Sequence, residues 1–186
     1  MSKMLLASIL LIVLLAASAS AHRVDEYLQA TIFSIEKDHV QATMRLAPGI
    51  AVSSIVIASI DSNGDGVISA AEKKAYVERL LGDLSLTVDG NRLMPRLVSM
   101  AFPEVEEMKE GLGEIHIEFT AALPVGGHNP GDHKRRLVFE NHHQKDIGAY
   151  LVNCLVPGNP EIRIVSQNRN EEQSVYRLDY VQAGER

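Results

Sequence analysis

The chain has 186 residues and a formal net charge of −6 at pH 7, with 18 Lys and Arg residues against 24 Asp and Glu residues. Because the basic residues are dispersed along the sequence, the composition disfavours nucleic acid and anionic membrane surfaces as partners. The single cysteine, Cys154, excludes an intrachain disulfide, so one apolar core must hold the fold together.

Residues 1–21 have the features of a secretory signal peptide. A short apolar segment follows Lys3, and small residues precede a cleavage site at Ala21. The mature chain is then expected to begin at His22 and to be exported to the periplasm or the extracellular medium. It is predicted to form a single domain over residues 22–186 with no membrane span. An uncleaved N-terminal anchor is the alternative.

The first predicted element of the mature chain is a β-hairpin. Residues 27–35 are rich in β-forming side chains, residues 36–39 form a polar turn, and residues 40–46 alternate between apolar and polar. Successive side chains of a strand point to opposite faces, so the second strand is expected to bury one face only. The residues predicted to face the core are Val40, Ala42, Met44 and Leu46.

The twelve residues 61–72 have the spacing of an EF-hand calcium loop. Calcium takes six to eight oxygen ligands, so such a loop aims several oxygen-bearing groups inward while its backbone turns sharply. Gly66 stands at position six, where the turn requires a positive φ. The expected ligands, at positions one, three, five, seven (through the backbone carbonyl), nine and twelve, are Asp61, Asn63, Asp65, Val67, Ser69 and Glu72.

Helices are predicted on both sides of this loop. Residues 70–81 gather apolar side chains on one helical face, and Gly82 is a natural residue to follow the helix end. The preceding segment is apolar all round and is expected to form a buried helix that opens at Pro48. A calcium hand of about residues 48–82 would then be inserted between strands. An ordinary polar turn is the alternative, but it does not account for Glu72 at the required spacing.

Short strands are predicted over most of the remaining chain. Residues 84–88 and 92–93 flank Asp89 and Gly90, a sequence typical of tight hairpin turns. Further strands are expected at residues 97–102, 114–120, 137–139, 149–156, 162–165 and 175–181, and a loop or short helix at 104–111. The total of about eight or nine strands favours a mainly β fold, an antiparallel Ig-like β-sandwich with the EF-hand inserted. Cys154 is expected in a buried strand rather than as a nucleophile.

Four stretches together resemble a known bacterial family. They are residues 21–30 (AHRVDEYLQA), the calcium hand, residues 137–143 (LVFENHH) and residues 167–170 (QNRN). The likeness covers most of the mature chain and is to exported EF-hand proteins that are similar to the extracytoplasmic part of HupE/UreJ-type membrane proteins, which are hydrogenase and urease accessory proteins. The resemblance implies a membrane-protein partner as one alternative.

The expected function is that of an exported calcium-binding protein in which one ion has a structural or modest-affinity role. The alternative, implied by the resemblance, is a periplasmic binding or sensor partner of a metal-transport membrane protein. An enzyme is not predicted, because the sequence has no Gly-x-Ser-x-Gly elbow, no His-Glu-x-x-His helix and no phosphate-binding glycine loop.

Histidines suggest a second, transition-metal hypothesis. After cleavage at Ala21, His22 would present a terminal amine and an imidazole, to which His142 or His143 could add a third nitrogen. Scattered surface histidines that bind nothing are the simpler alternative.

Overall fold

The computed structural model describes residues 25–124 and 132–183 of the chain. In these ranges the strands are β1 (Tyr27–Ile35), β2 (His39–Pro48), β3 (Leu84–Val88), β4 (Asn91–Arg92), β5 (Arg96–Ala101), β6 (Ile115–Ala122), β7 (Asp132–Asn141), β8 (Gly148–Cys154), β9 (Ile162–Arg169) and β10 (Val175–Ala183). The helices are α1 (Ile50–Ile60), α2 (Ala70–Gly82) and α3 (Val105–Lys109). The predicted signal peptide, its cleavage site and His22 lie outside the described residues.

The ten strands form two five-stranded sheets, in the orders β5-β6-β2-β1-β8 and β4-β3-β7-β10-β9. The mainly β prediction is therefore confirmed, although the count is ten in the described residues rather than eight or nine. Neighbouring strands pair antiparallel except β1 and β8, which run parallel. The prediction of an antiparallel sandwich is therefore wrong at this pair. The chain passes from β7 in one sheet to β8 at the edge of the other sheet, where β8 lies parallel to β1.

The inward faces of both sheets contribute to one apolar core. Phe33 of β1 makes an edge contact with Phe139 of β7, with ring centroids 5.0 Å apart, and stacks on Tyr176 of β10 at 6.1 Å. All three rings are almost fully buried. The strict alternation of β2 places its predicted apolar residues in the core and its polar residues outward. Burial of this apolar surface is the main stabilising contribution to the fold.

The tight turn between β3 and β4 matches its sequence. Asp89 has φ 52° and Gly90 has φ 79°, the two positive values that a type I′ turn requires. The Asp89 carboxylate also accepts hydrogen bonds from the backbone N–H of Arg136 at 2.8 Å and from Nε of Arg135 at 2.9 Å. The Arg135 side chain is buried, whereas the basic run that contains it reads in the sequence as a solvated strand start.

The helices that flank the predicted loop are present, with two corrections. Pro48 is the last residue of β2, opposite Tyr27, and α1 begins only after Gly49, whose extended conformation separates strand from helix. The helix is also not buried all round, because Ile50 and Ile55 are more than half exposed. Helix α2 includes Gly82 as its last residue, and Asp83 is the residue that caps its end. None of the helices in the described ranges is long and apolar enough to cross a membrane.

Candidate functional site

The segment between α1 and α2 folds as a compact loop around the carboxylate of Asp61. One oxygen of that carboxylate accepts the backbone N–H of Gly64 at 2.8 Å, and the other accepts that of Gly66 at 2.8 Å. Gly64 has φ 72° and Gly66 has φ 81°, a conformation that side-chain-bearing residues rarely adopt. The positive φ predicted at Gly66 is therefore observed, and its cause is the sharp turn around Asp61.

Glu72 closes the loop from its far end. Its Oε1 accepts hydrogen bonds from the backbone N–H of Ser62 at 2.8 Å and from the Ser62 hydroxyl at 3.0 Å. Its Oε2 accepts the N–H of Ser69 at 3.0 Å and the Ser69 hydroxyl at 2.7 Å, and Ser69 in turn caps α2. The hydrogen bonds from Ser69, and then those from Ser62, lower the pKa of Glu72 to about 2. Glu72 is consequently ionised at neutral pH, as a calcium ligand must be.

The middle of the loop is held by its own side chains. Asn63 Oδ1 accepts the backbone N–H of Asp65 at 2.9 Å, and Asn63 Nδ2 donates to Asp65 Oδ2 at 2.9 Å. Asp65 Oδ1 accepts the N–H of Val67, also at 2.9 Å. Five of the six residues predicted as ligands therefore lie in the segment 61–69 between the two helices, and the sixth, Glu72, lies in the first turn of α2. Their side chains supply the hard oxygen donors that calcium prefers.

The loop's acidic side chains bond to backbone N–H groups and hydroxyls rather than converge on one point. Among residues 25–124 and 132–183, no group of three or more His, Cys, Asp and Glu side chains is arranged to hold a metal ion. The donor types and the turn conformation fit calcium, while Glu72 would have to exchange hydrogen bonds with serine for contacts with an ion. The residues that would hold the ion are those predicted, with Val67 contributing its carbonyl.

Ile68, at position eight of the loop, is buried within the same chain. Only 8% of its surface is exposed, and it belongs to the apolar core. In a solitary EF-hand this residue would need cover from a partner loop or a second molecule. Here the fold itself supplies that cover.

Arg79 joins α2 to α1. Its Nη2 donates to the backbone carbonyl of Ser59, at the end of α1, at 2.5 Å. Its guanidinium also lies 5.9 Å from the centroid of the Tyr76 ring, within the range of a cation–π contact. These two contacts fix α2 against the last turn of α1, immediately before Asp61.

A buried polar chain, formed by Asp83, His143, Tyr76 and Tyr27, links α2 to β1 and to the turn that follows β7. Nδ1 of His143 lies 2.8 Å from Oδ2 of Asp83, and Nε2 of His143 lies 3.0 Å from Oη of Tyr76. Oη of Tyr76 lies 2.5 Å from Oη of Tyr27 on β1. One proton order satisfies every atom: Tyr27 donates to Tyr76, Tyr76 donates to a neutral imidazole, and the imidazole donates to Asp83.

Burial is the largest cause of the pKa shifts of His143, Tyr27 and Tyr76. It lowers the pKa of His143, and Arg79 adds to that effect, while Asp83 opposes it. Burial also raises the pKa of both Tyr27 and Tyr76 well above the ordinary value for a phenol. His143 is therefore neutral and both phenols are protonated at pH 7, which is the state that the proton order requires.

The segment around His143 is fixed by further hydrogen bonds. Gln29 of β1 donates to the His143 carbonyl at 2.8 Å and accepts from Asn141 Nδ2 at 3.0 Å. Asn141 Oδ1 accepts the backbone N–H of His143 at 2.9 Å, and the Tyr150 hydroxyl donates to the His143 carbonyl at 3.0 Å. These bonds hold the backbone of His143 in place, independently of the hydrogen bonds that its ring makes to Asp83 and Tyr76.

This geometry bears on the histidine hypothesis. Both ring nitrogens of His143 are occupied by Asp83 and Tyr76, so His143 has no lone pair to give to a metal. His142 is exposed, with Nε2 at 3.1 Å from Glu140. Of the two histidines proposed to complement His22, only His142 has an exposed ring, and His22 itself lies outside the described residues.

A cleft of about 480 Å³ opens beside this polar chain. Tyr76 and His143 lie at its floor, and Ile55 and Ile147 line its walls. Its polar lining also includes Arg79, Asp83, Gln144 and Asp146. Sequence reasoning missed both the polar chain and the cleft, because the bonded pairs of the polar chain lie 49 to 67 residues apart in the sequence and the cleft is lined by residues from Ile55 to Ile147. The only local signal was the Asn-His-His run at 141–143.

No protein-family model matches the chain, and a search of curated proteins finds no match either. The similarity to HupE/UreJ-type membrane proteins therefore stays a prediction, as does the suggested membrane-protein partner.

Proposed function

We propose that the chain is an exported, non-enzymatic calcium-binding protein, in which an EF-hand is inserted in an Ig-like β-sandwich and holds one ion. The two five-stranded sheets with a shared core support the sandwich. The ligands would be the side chains of Asp61, Asn63, Asp65, Ser69 and Glu72 together with the carbonyl of Val67. Export rests on the signal-like residues 1–21.

The observation that carries this proposal is the closure of the loop at both ends. Asp61 at position one gathers the N–H groups of Gly64 and Gly66, and Glu72 at position twelve bonds back to Ser62. An ordinary polar turn of four residues explains neither the span of eleven residues nor the helices on both sides.

The charge of the loop also favours a cation. Asp61, Asp65 and Glu72 carry three negative charges, and in the part of the chain that the structure describes none of them forms an ion pair with a basic side chain. Their mutual repulsion opposes closure of the loop. A divalent cation among them would remove that repulsion, which is the chemistry that calcium supplies when bound.

The role that fits this site is structural. Because Ile68 is already covered and Arg79 already joins the helices, binding has little buried surface left to rearrange. We expect an affinity typical of extracellular modules, with Kd on the order of 10⁻⁴ to 10⁻³ M.

The test is a calorimetric titration of chelator-stripped protein with calcium. We expect about one ion per chain, and we expect Glu72→Gln to weaken binding most, since it removes a bidentate carboxylate and one charge while keeping the shape. Glu78→Gln is the matched control, because it makes the same change on the exposed side of α2. Equal binding by wild type and Glu72→Gln would refute the proposal.

A further inference from the structure

The cleft between α1, α2 and the β7–β8 turn is built on a floor that cannot itself satisfy a polar ligand. His143 and Tyr76 are buried, and their polar atoms already bond to Asp83, to Tyr27 and to each other. The floor is therefore fixed in place, and its hydrogen bonds are complete. Charged recognition must come from the rim.

The rim carries opposite charges that do not neutralise one another. Arg79 uses one N–H for the Ser59 carbonyl, which holds its guanidinium at the edge of the cleft with further N–H groups unused. Asp146 lines the same cleft, and among the described residues it forms no hydrogen bond and no ion pair. Asp83 uses only Oδ2, for His143, and no ion pair joins either carboxylate to Arg79.

Two aliphatic side chains line the cleft, and a hydrogen bond across it holds the β7–β8 turn against α1. Ile55 is more than half exposed and Ile147 is half-buried, so both offer aliphatic surface to the cleft. Gln144 reaches across from the β7–β8 turn to the Ser59 hydroxyl at 3.0 Å, which ties the turn to α1. A volume of about 480 Å³ lies within the range of small-molecule sites.

We infer that this cleft binds a small zwitterion, an α-amino acid with an aliphatic side chain, whose carboxylate meets Arg79 and whose ammonium meets Asp146 and the outer oxygen of Asp83. Arg79 is suited to the carboxylate because a guanidinium offers several N–H donors in one plane. The aliphatic side chain covers Ile55 and Ile147. The site is separate from the calcium loop and does not depend on the proposed function.

The test uses L-leucine as the probe, with three analogues that each lack one feature. Leucinamide lacks the carboxylate, 4-methylpentanoate lacks the ammonium, and glycine lacks the side chain. Calorimetric titration of the full chain should show one leucine per chain, and each analogue should bind about tenfold more weakly or worse, the effect of losing one charge-assisted contact. Titrations in calcium and in chelator keep this result distinct from the calcium site.

Two variants assign the ends of the ligand. Asp146→Asn should weaken leucine about tenfold and leave 4-methylpentanoate unchanged. Arg79→Lys, which keeps a donor for the Ser59 carbonyl but loses the planar fork, should weaken leucine and leave leucinamide unchanged. The Asp146 side chain forms no hydrogen bond and no ion pair among the described residues, so its substitution breaks no bond of the fold. Lys145→Gln and Glu78→Gln, which neighbour these residues but do not line the cleft, are the controls. No leucine binding at about 10 mM, or binding insensitive to both variants, would overturn the inference.

Discussion

Oη of Tyr76 on α2 lies 3.0 Å from Nε2 of His143, which follows β7. The same hydroxyl lies 2.5 Å from Tyr27 on β1, so one side chain of α2 joins β1 of one sheet to the turn that follows β7 of the other. Along the sequence, the segment from α1 to α2 is an insertion between strands. In the fold, Tyr76 makes this segment part of the core, four residues after the predicted calcium ligand Glu72.

Because Tyr76 lies in the middle of the polar chain, removing its hydroxyl should destabilise the protein more than removing that of Tyr27. Tyr76→Phe leaves both the Tyr27 hydroxyl and Nε2 of His143 buried without a partner, whereas Tyr27→Phe removes only one donor from Tyr76. We expect Tyr76→Phe to lower the free energy of unfolding by about 2–4 kcal/mol and Tyr27→Phe by about 1 kcal/mol. Urea denaturation of each variant measures this, and equal losses would contradict the proton order given above.

The burial of His143 should make the protein less stable in mild acid. Burial lowers its pKa in the fold below the ordinary value of 6.5, despite Asp83, so the unfolded chain binds the proton more readily. Its stabilising effect is complete above pH 6.5 and decreases as the pH falls through that value. The free energy of unfolding should therefore decrease between pH 7.5 and pH 5.5 in wild type and in the exposed-histidine control His142→Gln. His143→Gln should lose most of that slope.

The local patterns of the sequence predicted much of this fold. The hairpin of β1 and β2, the Asp89–Gly90 turn, the buried strand cysteine and helix α2 all follow from spacing over a few residues. Helix α1 was predicted two residues too early, because Pro48 suits either a helix start or a strand end and only the pairing with Tyr27 decides between them.

Long-range relationships were beyond such patterns. The parallel pairing of β1 with β8 depends on how the two sheets meet, which alternation within one strand does not encode. His143 reads as a surface histidine in a polar run, and its burial follows from Asp83 and Tyr76, which are distant in sequence. The loop at residues 61–72 was readable because its donors are local.

Two aspartate–arginine pairs allow a comparison of how much a buried and an exposed ion pair contribute to the free energy of unfolding. Arg135 is buried and bonds to Asp89, while Arg136 is exposed and bonds to Asp179. Asp89→Asn should cost about 1–3 kcal/mol because it weakens the partner of a buried charge, and Asp179→Asn less than about 1 kcal/mol. Asn tolerates the positive φ at residue 89, so the comparison reports charge rather than backbone strain. Thermal unfolding of both variants decides it, and a larger loss for Asp179→Asn would be the contrary result.

Calcium should stabilise the protein modestly. With Kd near 10⁻⁴ M and free calcium near 1 mM, binding to the native state alone adds about 1.4 kcal/mol, which raises Tm by roughly 3–6 °C. Without calcium, repulsion among the three carboxylates should loosen the loop while the sheets keep their core. Melting curves in calcium and in chelator test this; Asp61→Ala should reduce the difference between the two curves, and Glu72→Gln should reduce it most.

The most direct measurement is a crystal structure of the protein grown in millimolar calcium, with anomalous scattering data to locate the ion. The account predicts one ion per chain in the loop, with oxygens of Asp61, Asn63, Asp65, Val67 and Glu72 at about 2.3–2.6 Å and Ser69 direct or through water. It also predicts that Glu72 exchanges its hydrogen bonds to Ser62 and Ser69 for the ion. A loop without an ion, with Glu72 still bonded to both serines, would contradict the central claim.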